Sequence, residues 1–288
     1  MENTVNDDDK KQELIVSSVF CASDADLILY SSDRVEFRVF SRILIESSPV
    51  FRDMVSIPKP PEIQGVVNAV HLDENGETLE LLLQFIYPMP DPSFSTFDIL
   101  KRLMKAADKY ILEGSTHSLK RILVSPTFMD RDALRVYAIA CMYGHQAEAK
   151  IASRHCLKVD ILLQADIHEE LGLISGKDLL RLIRLQQTRA GEILSILNRS
   201  APTTCNNCHG GTTMGGSIWW SEFKARAKEE IRVRPLTDAI LQPGFLASCV
   251  THAVSAGCPQ CATNYLSTGT QARLAQIKGL VDALPDTV

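Results

Sequence analysis

The sequence contains no run of about 20 apolar residues, the length that an α-helix needs to cross a bilayer. It also lacks an excess of positive charge: 30 lysines and arginines stand against 35 aspartates and glutamates, for a formal net charge of −5. Nucleic acids and anionic membranes attract basic surfaces. We therefore expect a protein without a membrane segment, and the composition disfavours nucleic acid as a partner.

We also expect no secretory signal in the N-terminal residues. Residues 1–14, MENTVNDDDKKQEL, are polar and acidic and include no apolar core of the kind that signal peptides carry. We expect the chain in the cytoplasm or the nucleus, where thiols stay reduced. The eight cysteines are then expected to be metal ligands or buried thiols and not disulfides.

The known signatures of catalysis are absent as well. The sequence has no G-x-S-x-G, P-loop, H-E-x-x-H or dinucleotide-binding pattern, and its seven histidines are scattered. His71 lies in a predicted strand, where a structural role is expected. Ser47 and Ser48 precede Pro49 and are predicted to cap a helix. We expect no catalytic residues and no enzymatic activity.

The sequence does contain the patterns of a folded protein. With 288 residues, 45% hydrophobic and 23% charged, it is long enough for one large domain or for two to three small ones. Residues 1–19 are predicted to be a flexible N-terminus. DADLILYSSDRVEFRVF (24–40) alternates with period two on both sides of a Ser-Ser-Asp turn and predicts two strands. SRILIESSPVFRDMV (41–55) changes to helical spacing and predicts two short helices.

A third strand and two longer helices follow. GVVNAVHLDENGET (65–78) predicts a strand that ends in a turn at Asn75-Gly76. TLELLLQFIY (78–87) is apolar almost all round, which predicts a buried helix with Leu82, Phe85 and Ile86 in the core. Residues 97–111 place apolar side chains on one helical face, with Ser95 or Thr96 as the cap.

Residues 22–123 resemble the BTB/POZ domain family. The resemblance is carried by SDADLILYSSDRVEFRVFSRILIESSPVFRDMV, by VVNAVHLDENGETLELLLQFIYP and by the helices at 97–111 and 116–123, in the family's order. The sequence of this stretch is similar to those of fungal BTB proteins in particular. The resemblance implies an α+β domain over residues 20–124, a helical cluster packed on a small sheet. It also implies protein partners, commonly in a homodimer and in some members a cullin-based ubiquitin ligase.

The sequence departs from the family at a few positions. Phe40-Ser41 stand where the family often has His-Lys, and Asp26 matches the family's buried aspartate without the usual basic counterpart. The hydrophobic-x-Glu sequence expected after the second short helix has only a loose match in PPEIQ (60–64). The apolar run LIVSSVF (14–20) precedes the first predicted strand, and we expect a second copy of the chain to cover it.

The rest of the chain is predicted to be all-α. Residues 125–200 form a helical extension, similar in placement to the BACK-like extensions of the family. NRSAPTTC (198–205) has the composition of a linker, and residues 201–288 are predicted to be a separate C-terminal helical module.

This module contains two C-x-x-C pairs. Cys205 with Cys208, and Cys258 with Cys261, offer the four thiolates of a tetrahedral structural zinc site. His209, Cys249 and His252 are reserve ligands. Three alternatives stay open: four unlinked thiols, a c-type haem at Cys205-Cys208-His209, which needs an export route, and a redox pair, which expects a βαβ setting.

The stretch FKARAKEEIRVR (223–234), preceded by Trp219 and Trp220, could contact nucleic acid. The spacing favours instead a helix with a core stripe and a charged outer face. The predicted stripe consists of Trp219 or Trp220, Phe223, Ala227 and Ile231. We therefore expect a non-catalytic interaction protein that self-associates or binds partners. A cullin adaptor and a zinc-containing transcriptional regulator are the alternatives.

Overall fold

The computed structural model describes residues 15–57, 68–164, 169–200, 203–208 and 216–288. The chain divides into two compact units, residues 1–125 and residues 126–288. Within the described ranges, no helix combines the length and apolarity needed to cross a membrane.

The first unit contains a four-stranded sheet with the order β1-β3-β2-β4. β2 and β3 form the predicted antiparallel hairpin, while β1 pairs with β3 and β4 pairs with β2 in parallel. The strands are β1 (Ile15–Cys21), β2 (Leu27–Tyr30), β3 (Val35–Val39) and β4 (Asn68–His71).

Strand β1 includes residues 15–19, which the sequence placed in a flexible N-terminus. Two of its side chains are buried: the Ser17 hydroxyl donates to Glu80 Oε2 at 3.0 Å, and Phe20 packs edge-on against Tyr87 with ring centroids 5.1 Å apart. The strand extends to Ile15 because these contacts and the pairing with β3 order the segment.

Among its described residues, the first unit also contains five helices: α1 (Ser41–Ser47), α2 (Pro49–Ser56), α3 (Gly76–Ile86), α4 (Phe97–Lys109) and α5 (Glu113–Leu123). The predicted caps at Ser48 and Thr96 are confirmed, since their side chains accept from the amides of Phe51 and Ile99. Helix α3 begins at Gly76 and not at residue 78, because Asn75 caps it instead of closing a turn.

The hairpin turn is bonded to the start of α3. Asp33 Oδ1 accepts from the Ser31 hydroxyl at 2.5 Å and from the Gly76 amide at 2.7 Å. A Cβ atom at position 76 would lie 2.7 Å from Val35 Cγ2, so only glycine permits this approach. The Asp33 carboxylate thus joins the polar turn of the hairpin to the start of α3.

The core of the first unit lies between the inner face of the sheet and α3, α4 and α5. Leu82 is fully buried there, as predicted, together with Leu79 and Leu83. Phe85 and Ile86 are only partly buried, contrary to the prediction. Both lie in the last turn of α3 and line a cavity that opens beside residues 111–115, so the apolar surface of this helix is not buried to its end.

The described residues of the second unit form helices and their connections, with no strand, as predicted. After α6 (Pro126–Met129), α7 packs against α8, and a short α9 and a 3₁₀ turn at Glu169–Gly172 lead to the long helix α10. The helices from α7 on are α7 (Ala133–Met142), α8 (Gln146–Cys156), α9 (Ile161–Gln164), α10 (Gly176–Arg199), α11 (Ile218–Val233), α12 (Thr237–Ile240), α13 (Pro243–Ser255), α14 (Gln260–Leu266) and α15 (Thr268–Asp282).

Residues 126–288 group into one compact unit, which contains both the predicted helical extension and the predicted C-terminal module. The reason lies in α10. Its last three turns contribute Ile193, Ile196 and Leu197 to the same apolar core that contains Trp219 and Trp220. The helix that ends the predicted extension therefore also contributes side chains to the C-terminal core.

Candidate metal centre

Two turns of the second unit bring four thiols together. Cys205 and Cys208 lie in the short loop before α11, Cys258 lies in the turn between α13 and α14, and Cys261 lies in the first turn of α14. The four sulfur atoms all lie within 4.8 Å of one another. The structure therefore places all four predicted ligands in one cluster.

The spacing of the sulfur atoms matches a tetrahedral ion. Cys205 Sγ lies 3.7 Å from Cys258 Sγ, and Cys208 Sγ lies 3.7 Å from Cys261 Sγ. A tetrahedron with zinc–sulfur bonds of about 2.3 Å has edges of about 3.8 Å, whereas a disulfide bond is about 2.05 Å long. All eight cysteines of the chain are free thiols, so these four sulfurs are available as ligands.

Burial indicates a closed site. Cys205, Cys258 and Cys261 are buried, and Cys208 is partly buried. Soft thiolates on all four corners suit zinc, and four protein ligands leave no corner for a substrate. The arrangement therefore fits a structural ion better than a catalytic one.

The second pair is presented by a sharp helix end. Gly257, two residues after the last residue of α13, has φ +93°. Its amide donates to Val254 O, and the Cys258 amide donates to Ala253 O. This left-handed residue is the usual C-terminal signal of a helix and favours glycine. The Cys261 amide then donates to Cys258 O at 3.1 Å, which closes the tight turn that carries both thiols.

The loop that carries the first pair is fastened at both ends. Asn264 bridges two elements: its side-chain nitrogen donates to Thr204 O at 2.5 Å, and its oxygen accepts from Trp219 Nε1 at 2.8 Å. Thr203 is hydrogen-bonded to Ser217 through both side chains, at 2.7 Å, and accepts from the Ser217 amide. Hydrogen bonds to α14 and to the residue before α11 therefore hold this loop beside the second pair.

One further side chain reaches a sulfur atom. Asn207 Nδ2 donates to Cys258 Sγ at 3.5 Å, from the first pair to the second. This hydrogen bond lowers the pKa of the Cys258 thiol, and donation from the neighbouring thiols acts in the same direction. Burial raises the pKa of Cys261. The motif C-x-x-C itself gave no signal that Asn207 would belong to the site.

Two of the three reserve ligands, Cys249 and His252, do not join the cluster. Cys249 is buried in α13 but lies outside the group of four sulfurs. His252 Nε2 lies 3.5 Å from Glu222 Oε2 on a half-exposed surface. His209 lies outside the described residues. The described part of residues 126–288 contains no strand, so a thioredoxin-like pair has no βαβ setting there.

The aromatic and basic stretch before and within α11 is a core stripe, as predicted. Trp219, Trp220, Phe223, Ala227 and Ile231 are all buried. Its three arginines pair within the unit. Arg226 binds Glu222 and the Ser248 hydroxyl, Arg232 pairs with Glu229 and Arg234 pairs with Glu230. These pairs compensate three of the five positive charges of the stretch, which weakens its attraction for a nucleic acid.

In the first unit, Asp26 is exposed and not buried as its match to the family suggested. Its carboxylate accepts from the Ser41 amide at 2.7 Å and from the Ser41 hydroxyl at 2.5 Å. Ser41 stands where the family often has lysine. The Asp26 carboxylate is therefore hydrogen-bonded to a neutral serine.

Strand β1 presents an apolar surface at the edge of the sheet. Ile15, Val16 and Val19 are 61%, 42% and 44% exposed. The strand pairs with β3 on one side and ends the sheet order on the other. An edge strand carries unpaired backbone groups that can pair with another chain.

A family model described as the BTB/POZ domain matches residues 18–126. The match covers the first unit from the middle of β1 to its end and stops before the helices that build the thiol cluster. No curated protein matches the chain.

Proposed function

The chain carries a BTB/POZ domain over residues 18–126, and we propose that it is a non-catalytic protein that self-associates through this domain. BTB/POZ domains are protein–protein interaction modules. We further place the protein in the cytoplasm or the nucleus, because all eight cysteines are free thiols.

The exposed apolar residues of β1 carry this proposal. Burying Val16 and Val19 against a second copy would remove apolar surface from water, which favours association by roughly 25 cal/mol for each Å². The free edge of β1 offers backbone hydrogen bonds to the same partner. One strand thus supplies both the apolar and the polar part of an interface between two copies.

Light scattering on the full chain at micromolar concentration tests self-association. We expect a dimer for the natural sequence and a monomer for the double variant Val16→Lys/Val19→Lys, whose two charges would be desolvated in the interface. Val254→Lys is the matched control, because Val254 is a similarly exposed valine on α13. A monomeric natural protein, or a double variant that still dimerises, would contradict this use of β1.

The cullin adaptor stays a prediction, because PPEIQ (60–64) lies outside the described residues. Co-purification with a cullin would support it. The transcriptional regulator is less favoured, since the arginines at the end of α11 pair with glutamates of the same helix. Salt-dependent binding of the purified protein to DNA would support that role instead.

We also propose that Cys205, Cys208, Cys258 and Cys261 hold one structural zinc ion. The support is the sulfur geometry, with two cross-pair distances of 3.7 Å in a mostly buried cluster. The ion would fasten the loop before α11 to the turn between α13 and α14. Because zinc binding is coupled to folding, its withdrawal should loosen this part of the second unit.

Elemental analysis of protein purified without chelators should give about one zinc per chain. Cys205→Ser and Cys258→Ser should both lose the metal, while Cys249→Ser, which removes a buried thiol outside the cluster, should keep it. His209→Ala should also keep it. Zinc near zero in the natural protein, or loss of metal from the Cys249 or His209 variant alone, would refute a four-cysteine site.

A further inference from the structure

We propose that Asn207 is a positioning residue of the metal centre, whose amide N–H···S hydrogen bond holds Cys258 as a ligand and strengthens metal binding. The inference rests on the zinc site proposed above and extends it to a residue outside the four ligands. It concerns the one side-chain amide found to donate to any of the four sulfurs within the described residues.

The position of Asn207 explains why it can act across the site. It occupies the second variable position of the first pair, between Cys205 and Cys208, yet its Nδ2 lies 3.5 Å from Cys258 Sγ in the other pair. Cys258 is also the thiol that lies 3.7 Å from Cys205. Asn207 therefore connects the two turns at one of the two places where their sulfur atoms approach each other.

The chemistry of the ligands makes this donor useful. Four thiolates around one Zn²⁺ leave two negative charges in a cluster of mostly buried sulfurs. Hydrogen bonds to ligand atoms stabilise such charge and orient the ligand, and their loss typically lowers metal affinity by 10–100-fold. Asparagine can donate through its NH₂ group, whereas aspartate at the same position could only accept and would add a third negative charge.

Asn206 provides a matched control. It is the neighbouring residue in the same turn, is exposed and has the same side chain, but it makes no hydrogen bond to the cluster in the described structure. The comparison between Asn207→Ala and Asn206→Ala removes the effects of loop composition and leaves the N–H···S contact as the difference.

The experiment uses the full chain, stripped of metal under reducing conditions, titrated with Co²⁺ and then with Zn²⁺ in competition. We expect Asn207→Ala to weaken metal binding by about 10-fold or more, Asn207→Asp to weaken it further, and Asn206→Ala to match the natural sequence. The sulfur-to-cobalt charge-transfer band of Asn207→Ala should also move to lower energy, because a thiolate without an N–H donor is more electron-rich. A purely structural role would lower affinity without moving this band.

The outcomes separate the two proposals. If the natural protein binds neither Co²⁺ nor Zn²⁺, the zinc site itself is refuted and this inference falls with it. If the natural protein binds one ion and Asn207→Ala matches Asn206→Ala in affinity and in the band, only the role of Asn207 is overturned. Fluorescence of the two tryptophans, both in the second unit, checks that each metal-loaded variant is folded.

Discussion

Replacing Arg189 by methionine should destabilise the second unit. Arg189 lies on α10 and is 5% exposed, and its guanidinium donates to four backbone carbonyls at 2.7–3.1 Å. One carbonyl belongs to Pro235, and the other three belong to Val281, Leu284 and Pro285 at the end of α15. The side chain therefore holds the C-terminus of one helix and the α11–α12 connection against a third helix.

The expected magnitude follows from where these carbonyls lie. Pro235 and Val281 are buried, while Leu284 is partly exposed and Pro285 is exposed. A buried polar group that loses its partner costs about 1–3 kcal/mol, whereas an exposed one can bind water instead. Val281 O keeps a second donor, the Leu284 amide. After allowing for the desolvation cost that the guanidinium no longer bears, we expect a loss of about 2–4 kcal/mol.

Urea unfolding followed by tryptophan fluorescence measures the free energy of unfolding of the second unit. Trp219 and Trp220 are the two tryptophans of the chain and both are buried in the second unit, so their signal reports that unit and not the BTB/POZ domain. All variants are compared in the same metal state. Arg184→Met is the control, because Arg184 is an exposed arginine on the same helix and should change stability by less than about 0.5 kcal/mol.

The variant Arg189→Lys separates the contribution of the charge from that of the planar guanidinium. Arg189→Lys keeps a charge but offers a single ammonium group in place of a planar fork, so it should recover only part of the lost stability. If Arg189→Met unfolded at the same urea concentration as Arg184→Met, the four hydrogen bonds would not contribute net stability and the reasoning would be refuted.

Two further predictions concern the BTB/POZ domain. Leu82→Ala should cost about 2–5 kcal/mol because it opens a cavity in the core, whereas Phe85→Ala should cost less because Phe85 is partly exposed; thermal melts of the two variants should rank them in that order. The Ser31 hydroxyl and the Gly76 amide lower the pKa of Asp33. Because the folded-state pKa is lowered, the ionised carboxylate stabilises the fold above the unfolded pKa of about 3.9, and this stability is lost as pH falls through the folded value. The difference in free energy of unfolding between the natural protein and Asp33→Asn should therefore narrow below about pH 4. Urea midpoints between pH 3 and 7 measure this difference, and a difference independent of pH would contradict this account.

Much of the fold could be predicted from the sequence because its signals are local. Alternation with period two predicted β2 and β3, and the caps at Ser48 and Thr96 lie where short polar side chains precede a helical pattern. The BTB/POZ resemblance is confirmed by the family model over residues 18–126. These features depend on neighbours along the chain, so the sequence was sufficient for them.

The misplaced elements depend on contacts between distant residues. β1 reaches Ile15 because it pairs with β3, about 20 residues further along the chain. Phe85 is less buried than its helical pattern suggested, because the pattern shows that a side chain is apolar but not whether another element covers it. The same reason explains why α10 joins the core of the residues that follow it.

The candidate metal centre combines both kinds of information. Two C-x-x-C pairs are readable from the sequence alone, because two thiols three residues apart can share one ion whatever surrounds them. Whether the pairs meet was decided by the packing of α11, α13 and α14, which brings Cys205 to 3.7 Å from Cys258. Only the tertiary structure revealed the hydrogen bond from Asn207 to Cys258, since an asparagine between two cysteines has no local pattern that points to a sulfur in the other pair.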